Sequence, residues 1–270
     1  MQDHEQRFGG IGRLYGQKAW QKIKSMHVAV IGLGGVGSWT AEAFIRTGIQ
    51  KITLIDLDEV CISNTNRQLH ALDGNIGKSK VEAMKERMLL INPHAEIECI
   101  VDFFTPSTAE AILARPFDVI VDAIDSVDNK CLLLAECRRL GRPIVTCGSV
   151  GGRTDPTLIR RSDLNETTND GLLRNVRKKL RKNHDFPGTG LLNIPAVFSM
   201  EVPVFPNASG EVCPTREKGV NSRMDCNTGF GTASFVSGAL GFAAASAALD
   251  LHLNGTKDEL ELDRRALPSE

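Results

Sequence analysis

The chain has 270 residues, 41% apolar and 24% charged, with 32 basic and 33 acidic side chains. Those shares sit near the globular norm and exclude a disordered tail, a collagen-like chain and a disulfide miniprotein. A formal net charge of −1 also excludes holding nucleic acid by bulk charge, so such a partner requires a local basic patch. Aromatics are only 5% of the chain, which argues against base stacking as the main binding mode. The seven cysteines (61, 99, 131, 137, 147, 213 and 226) contain no C-x-x-C pair. A zinc ribbon is therefore not expected, and reduced thiols in a cytoplasmic protein are. The opening run MQDHEQRFGG has no apolar stretch, so no secretory signal is expected.

In chain order, HVAVI (27–31) reads as a buried strand, followed by glycines from 32 to 37 and an amphipathic stretch over 38–47 that stops at Gly48. ITLID (52–56) predicts a second strand, 78–91 a helix ended by Asn92-Pro93, and EIECIV (96–101) a third strand. A helix start at Thr105-Pro106, a strand FDVIVDAI (117–124), a helix over 132–140 closed by Gly141 and a strand PIVTC (143–147) follow. This alternation predicts an α/β fold, a Rossmann-like open and mostly parallel sheet. After residue 152 the pattern changes. TLIRRSDL (157–164) predicts one more strand, 170–184 a basic helix-like run, and AVFSMEVPVF (196–205) an irregular strand pair. The division expected is a nucleotide-binding core over 1–152, an inserted crossover over 153–225 and a terminal helix of small residues over 226–253, all in one domain. The stretch 226–249 carries no formal charge over 24 residues, long enough to cross a membrane. Its Gly, Ala, Ser and Thr content instead favours a helix buried in a soluble core or a dimer interface, with membrane contact the minor alternative.

GLGGVG, at 32–37, matches G-x-G-x-x-G directly after a strand and before a helix. Gly32, Gly34, Gly35 and Gly37 permit a tight turn and close approach of a phosphate to the backbone. Asp56 ends the next strand, 19 residues beyond Gly37, where a carboxylate accepts from ribose hydroxyls. Taken alone, this pattern favours a dinucleotide oxidoreductase. The next stretch points elsewhere: Asp58, then Asn64 and Arg67 in SNTNRQ, then Lys80 in GKSK. A dehydrogenase has no general need for these groups. An enzyme that expels pyrophosphate does, because fixed cations stabilise the growing charge. Asp122 and Asp125, in DAID, end a strand at the same sheet edge, with Asp122 the structural residue and Asp125 the candidate ligand for magnesium. His70 and His94 have no metal-ligand spacing.

The run GLGGVGS, LIDLDEV, SNTNRQ, GKSK and DAIDS resembles the ubiquitin-activating-like adenylating superfamily, which includes the molybdopterin and thiamine adenylyltransferases. RFGGIGRLYG (7–16), SNTNRQLHAL (63–72), INP (91–93), VDAIDS (121–126), RMDC (223–226) and GFG (229–231) bring it closest to the tRNA threonylcarbamoyladenosine dehydratase branch. The resemblance implies that the glycine loop and Asp56, with Asp58, hold ATP. It implies that Asn64, Arg67 and Lys80 handle phosphates, and that Asp125 holds Mg2+. Arg67, Lys80 and Asp125 become the candidate catalytic residues, and Arg7 or Arg13 reaches a partner's site in a homodimer. Ser126 stands where sulfur-carrier activators often have Asn, and their paired C-x-x-C motifs are absent, which argues against a ubiquitin-like carrier as substrate.

The implied reaction is ATP-dependent dehydration of threonylcarbamoyladenosine beside a tRNA anticodon. The free carboxylate attacks the α-phosphate, pyrophosphate leaves, and ring closure by the carbamoyl group expels AMP. Cys226, before an expected helix, would have a lowered pKa and is a candidate reactive thiol, although ring closure does not need one. Relatives are associated with cysteine desulfurase systems, so a sulfur-acceptor partner is also implied. The alternatives are activation of a sulfur-carrier protein's C-terminus, an NAD-dependent oxidoreductase and a non-catalytic nucleotide sensor.

Overall fold

A computed structural model describes residues 2–207, 209–215 and 231–255. Two helices, α1 (Gln2–Tyr15) and α2 (Gln17–Ser25), lead into β1 (His27–Ile31), α3 (Gly35–Arg46), β2 (Lys51–Ile55), α4 (Lys80–Ile91) and β3 (Glu96–Ile100). Then come α5 (Ala109–Leu113), β4 (Val119–Asp122), α6 (Val127–Leu140), β5 (Ile144–Cys147), β6 (Ile159–Asp163), α7 (Gly171–Asn183), β7 (Pro195–Ser199), a short hairpin β8 (Phe205–Pro206) and β9 (Val212–Cys213), and α8 (Ser234–Asn254). The expected helices all form. Their starts differ from the expected residues: α3 at Gly35 rather than 38, α4 at Lys80 rather than 78, α5 at Ala109 rather than 105, α6 at Val127 rather than 132, α7 at Gly171 rather than 170 and α8 at Ser234 rather than 226. The glycine-rich run RFGGIGRLYG is helical through Tyr15 as part of α1, and Gly16 caps α2.

The sheet order is β3-β2-β1-β4-β5-β7-β6. All pairs are parallel except β6 with β7. Every residue of β1, β4 and β5 is buried, as expected for inner parallel strands covered on both faces. Alternate side chains divide between two cores. Val28, Val30, Ile52, Leu54 and Val121 pack with α3, α4 and α8. Ala29, Ile31, Ile55 and Ile120 pack with α5, α6 and α7. From β1 the chain proceeds outward to β2 and β3, then returns to β4 on the other side of β1. That reversal opens a crevice at the C-terminal ends of β1 and β4.

The expectation for AVFSMEVPVF needs correction. Its first half is β7, an inner strand parallel to β5 and antiparallel to β6. Its end pairs with residues 212–213 rather than with β7. The extension after residue 152 thus adds two strands to the main sheet. Helix α8 is long and apolar enough by composition to cross a membrane, yet it lies across α3 and the sheet with eleven of its residues buried. Gly241 explains the closeness of that packing. A Cβ there would sit 2.7 Å from the Val36 carbonyl oxygen and 2.8 Å from Trp39 Cβ, and the Thr40 hydroxyl donates to the Gly241 carbonyl.

Candidate active site

The loop after β1 turns sharply because Gly32 has a φ of +92°, and a Cβ there would lie 2.8 Å from the Ala123 carbonyl oxygen. A Cβ on Gly37 would collide with the Gly32 carbonyl, so the start of α3 can close onto the loop only with glycine at this position. Gly35 is the first residue of α3 and Gly34 its N-cap, with no side-chain cap over the helix end. The uncapped amides of this 12-residue helix form a ready anion site.

Asp56 is nearly buried at the end of β2. Its carboxylate accepts from the Leu33 amide at 2.6 Å and the Asp58 amide at 2.8 Å, tying the glycine loop to the second strand. Lys80, the first residue of α4, is also nearly buried. Its ammonium donates to Asp58 at 2.6 Å and lies 3.9 Å from Asp56. Burial raises the Asp56 pKa above the usual carboxylate value, while Lys80 and the two amides oppose the shift.

Asn64 is buried and uses its side-chain oxygen to accept from the Cys61 amide, closing the turn at Ile62–Asn64. Arg67 lies against the glycine loop, its Cγ 3.6 Å from where a Gly35 Cβ would be. Its guanidinium donates to the Ser63 carbonyl and to Asn66, and its own carbonyl accepts from the Trp39 indole. Asp125 lies across the crevice between β4 and α6, exposed and without a side-chain partner among the described residues. Asp122 is committed elsewhere, buried and ion-paired to Lys130 at 2.7 Å.

The structure therefore brings the glycine loop, Asp56, Asp58, Lys80, Asn64 and Arg67 to one sheet edge, with Asp125 at the neighbouring strand end. It does not bring Arg7 or Arg13 there within one chain. Helix α1 is fastened at the opposite edge, before β2: His4 bonds the Gly48 carbonyl and Arg7 bonds Asp3 and the Ile91 carbonyl. Arg13 is exposed near the end of the same helix. Cys226 lies outside the described residues.

Sequence reasoning missed two groups. One is Lys130, whose signal was an ammonium in the otherwise apolar face Cys131, Leu133, Leu134 and Cys137. The other is Ser237 on α8, buried with no hydrogen-bond partner for its hydroxyl among the described residues, 3.1 Å from the position of a Gly35 Cβ. No local pattern links residues 35 and 237. Among the described residues no group of three or more His, Cys, Asp or Glu is arranged to hold a metal. A lone carboxylate such as Asp125 still fits magnesium, which binds through one or two carboxylates together with phosphate oxygens and water.

Residues 10–261 match the profile of the ThiF family. The chain is 46% identical over 247 residues to the tRNA threonylcarbamoyladenosine dehydratase of Escherichia coli K12, covering 90% of this chain and 92% of that protein. It is 38% identical over 189 residues to the Bacillus subtilis protein of the same name, covering 70% and 72%. The fold superimposes on the E. coli enzyme TcdA in complex with ATP with a TM-score of 0.82, at 40% identity and 97% coverage of each chain. By this profile and these identities, the chain belongs to the ThiF family.

Proposed function

We propose that this protein catalyses the ATP-dependent dehydration of threonylcarbamoyladenosine in tRNA, through an acyl-adenylate. The observation that carries the reading is the set of groups gathered at the switch crevice: Asp56, Asp58 and Lys80 on one side, Arg67 against the glycine loop, and Asp125 opposite. Likeness to dehydratases, among them the E. coli enzyme solved with ATP and with AMP, supports the substrate class.

In this reading the amides of the glycine loop and of α3 receive the phosphates, and Asp56 orients the ribose. Arg67 and Lys80 stabilise the charge that grows on departing pyrophosphate. Asp125 would hold magnesium, which supplies charge neutralisation on the phosphates. The substrate carboxylate displaces pyrophosphate at the α-phosphorus. The carbamoyl group then closes on the activated carbonyl, gives up a proton, and the departing oxygen leaves with AMP. One water is lost from the nucleoside overall. Because nucleophile and electrophile share one side chain, the closure is intramolecular and gains a large effective molarity. We extend the reading to a cytoplasmic homodimer in which Arg13 or Arg7 completes the partner's site, since α1 sits at the far edge of its own sheet.

The test is incubation with ATP, magnesium and tRNA bearing threonylcarbamoyladenosine, followed by nucleoside mass spectrometry. An ATP-dependent loss of one water mass is expected. Intact nucleoside after prolonged incubation would refute the reading and direct attention to carrier-protein adenylation.

A further inference from the structure

Lys130 and Asp122 are both fully buried, and the chemistry proposed above uses neither. A buried ion pair is a poor stabilising device, since well-packed apolar residues of similar volume often do as well or better. Its geometry indicates a different use. The Lys130 ammonium donates to the Asp122 carboxylate at 2.7 Å, to the Thr146 hydroxyl at 3.2 Å and to the Asp122 carbonyl at 3.3 Å. The same carboxylate accepts from the Thr146 hydroxyl at 2.7 Å and from the Ile124 amide at 3.1 Å. The Lys130 amide donates to the Ser126 carbonyl. These bonds close the turn from 122 to 126 into a ring, fastened to β5 below and to the first turn of α6 behind.

Asp125 stands in that ring with no side-chain partner among the described residues, so its position is set by the backbone around it. The ring also abuts the nucleotide loop. The Ala123 amide donates to the Ile31 carbonyl, and the Ala123 carbonyl lies against Gly32. We infer that Lys130, through Asp122, is a positioning residue that holds Asp125 at the nucleotide. The inference rests on the reading of Asp125 given above. The Lys130 ammonium touches no substrate. It donates to the Asp122 carboxylate, and that carboxylate shapes the turn by accepting from Thr146 and from the Ile124 amide.

The test is a double-mutant cycle on turnover of tRNA bearing threonylcarbamoyladenosine, with Lys130→Met, Asp125→Ala and both together. Loss of a supporting group of this kind costs about 10- to 100-fold, so a fall in kcat of that size is expected in Lys130→Met. If Lys130 acts through Asp125, adding Lys130→Met to Asp125→Ala lowers kcat no further. A merely structural lysine would multiply the two losses, and that result overturns the inference while leaving the reading of Asp125 intact. If Lys130→Met does not fold, the charge-free pair Asp122→Asn with Lys130→Met carries the same cycle, and wild-type kcat in that pair would equally overturn it. Full turnover in Asp125→Ala alone is the separate outcome that removes the site reading, and the inference with it.

Discussion

His70 shows how burial sets the behaviour of a single residue. Its ring is fully buried, neither nitrogen has a hydrogen-bond partner among the described residues, and burial with nearby Lys80 pushes its pKa down to about 4. The unfolded chain takes up this proton near pH 6.5, whereas the folded chain resists until about pH 4. Acidification between those values therefore favours the unfolded state, by up to about 3 kcal/mol at the acid end. His4 and His27, also lowered by burial, act in the same direction. His70→Leu should flatten the fall of Tm from pH 6.5 to 4, measured by calorimetry, and an unchanged pH slope would assign the effect to other groups. The sequence showed that His70 lacks metal-ligand spacing. It did not show the burial, which is a tertiary feature. Lys130 illustrates the same limit, because its partner Asp122 is near in the chain but its other partner, Thr146, comes from β5.

At the scale of elements, α7 carries a strongly basic surface beside the start of α6. A cleft of about 410 Å3 is lined by Val127, Asn175, Lys178, Lys179, Lys182 and Asn183, and Val127 is only two residues beyond Asp125. Lys179 is ion-paired with Asp128, while the apolar stripe Leu173, Val176 and Leu180 fastens the helix to the body. Lys178→Glu with Lys179→Glu should raise the KM for tRNA and spare the KM for ATP, and the wild-type KM for tRNA should rise steeply with salt. An unchanged KM for tRNA would leave α7 as a solvated face. The basic run was readable because its charges are local in the chain. The role of AVFSMEVPVF was not, because β7 pairs with β5 and β6, which lie far away in sequence. Neighbour identity, and not β propensity, decides whether a strand is central or in a hairpin.

At the scale of the whole molecule, the position of α1 makes a sharp prediction about assembly. In the proposed homodimer, with α1 fastened through His4 and Arg7 at the edge opposite the site, Arg13→Ala and Asp125→Ala should each lose most of their activity alone and complement when mixed. Random exchange in a symmetric dimer leaves about a quarter of the sites intact, so activity near that fraction of wild type should return after subunit exchange, as measured by nucleoside mass spectrometry. No recovery, with exchange shown by mass-labelled subunits, would place any arginine contribution elsewhere.

The sequence by itself determined the alternation of strands and helices, the glycine turn, and the acids and bases that follow it. These are local in the chain: each is a spacing, a periodicity or a short motif that acts over a few residues. Only the tertiary structure decided which strands are neighbours, that Lys80 is held between Asp56 and Asp58, that Lys130 is sealed beneath the Asp125 turn, and that α8 is packed against α3. Each of those facts depends on burial and on contacts between residues far apart in the chain, and a linear pattern carries no distance between its ends.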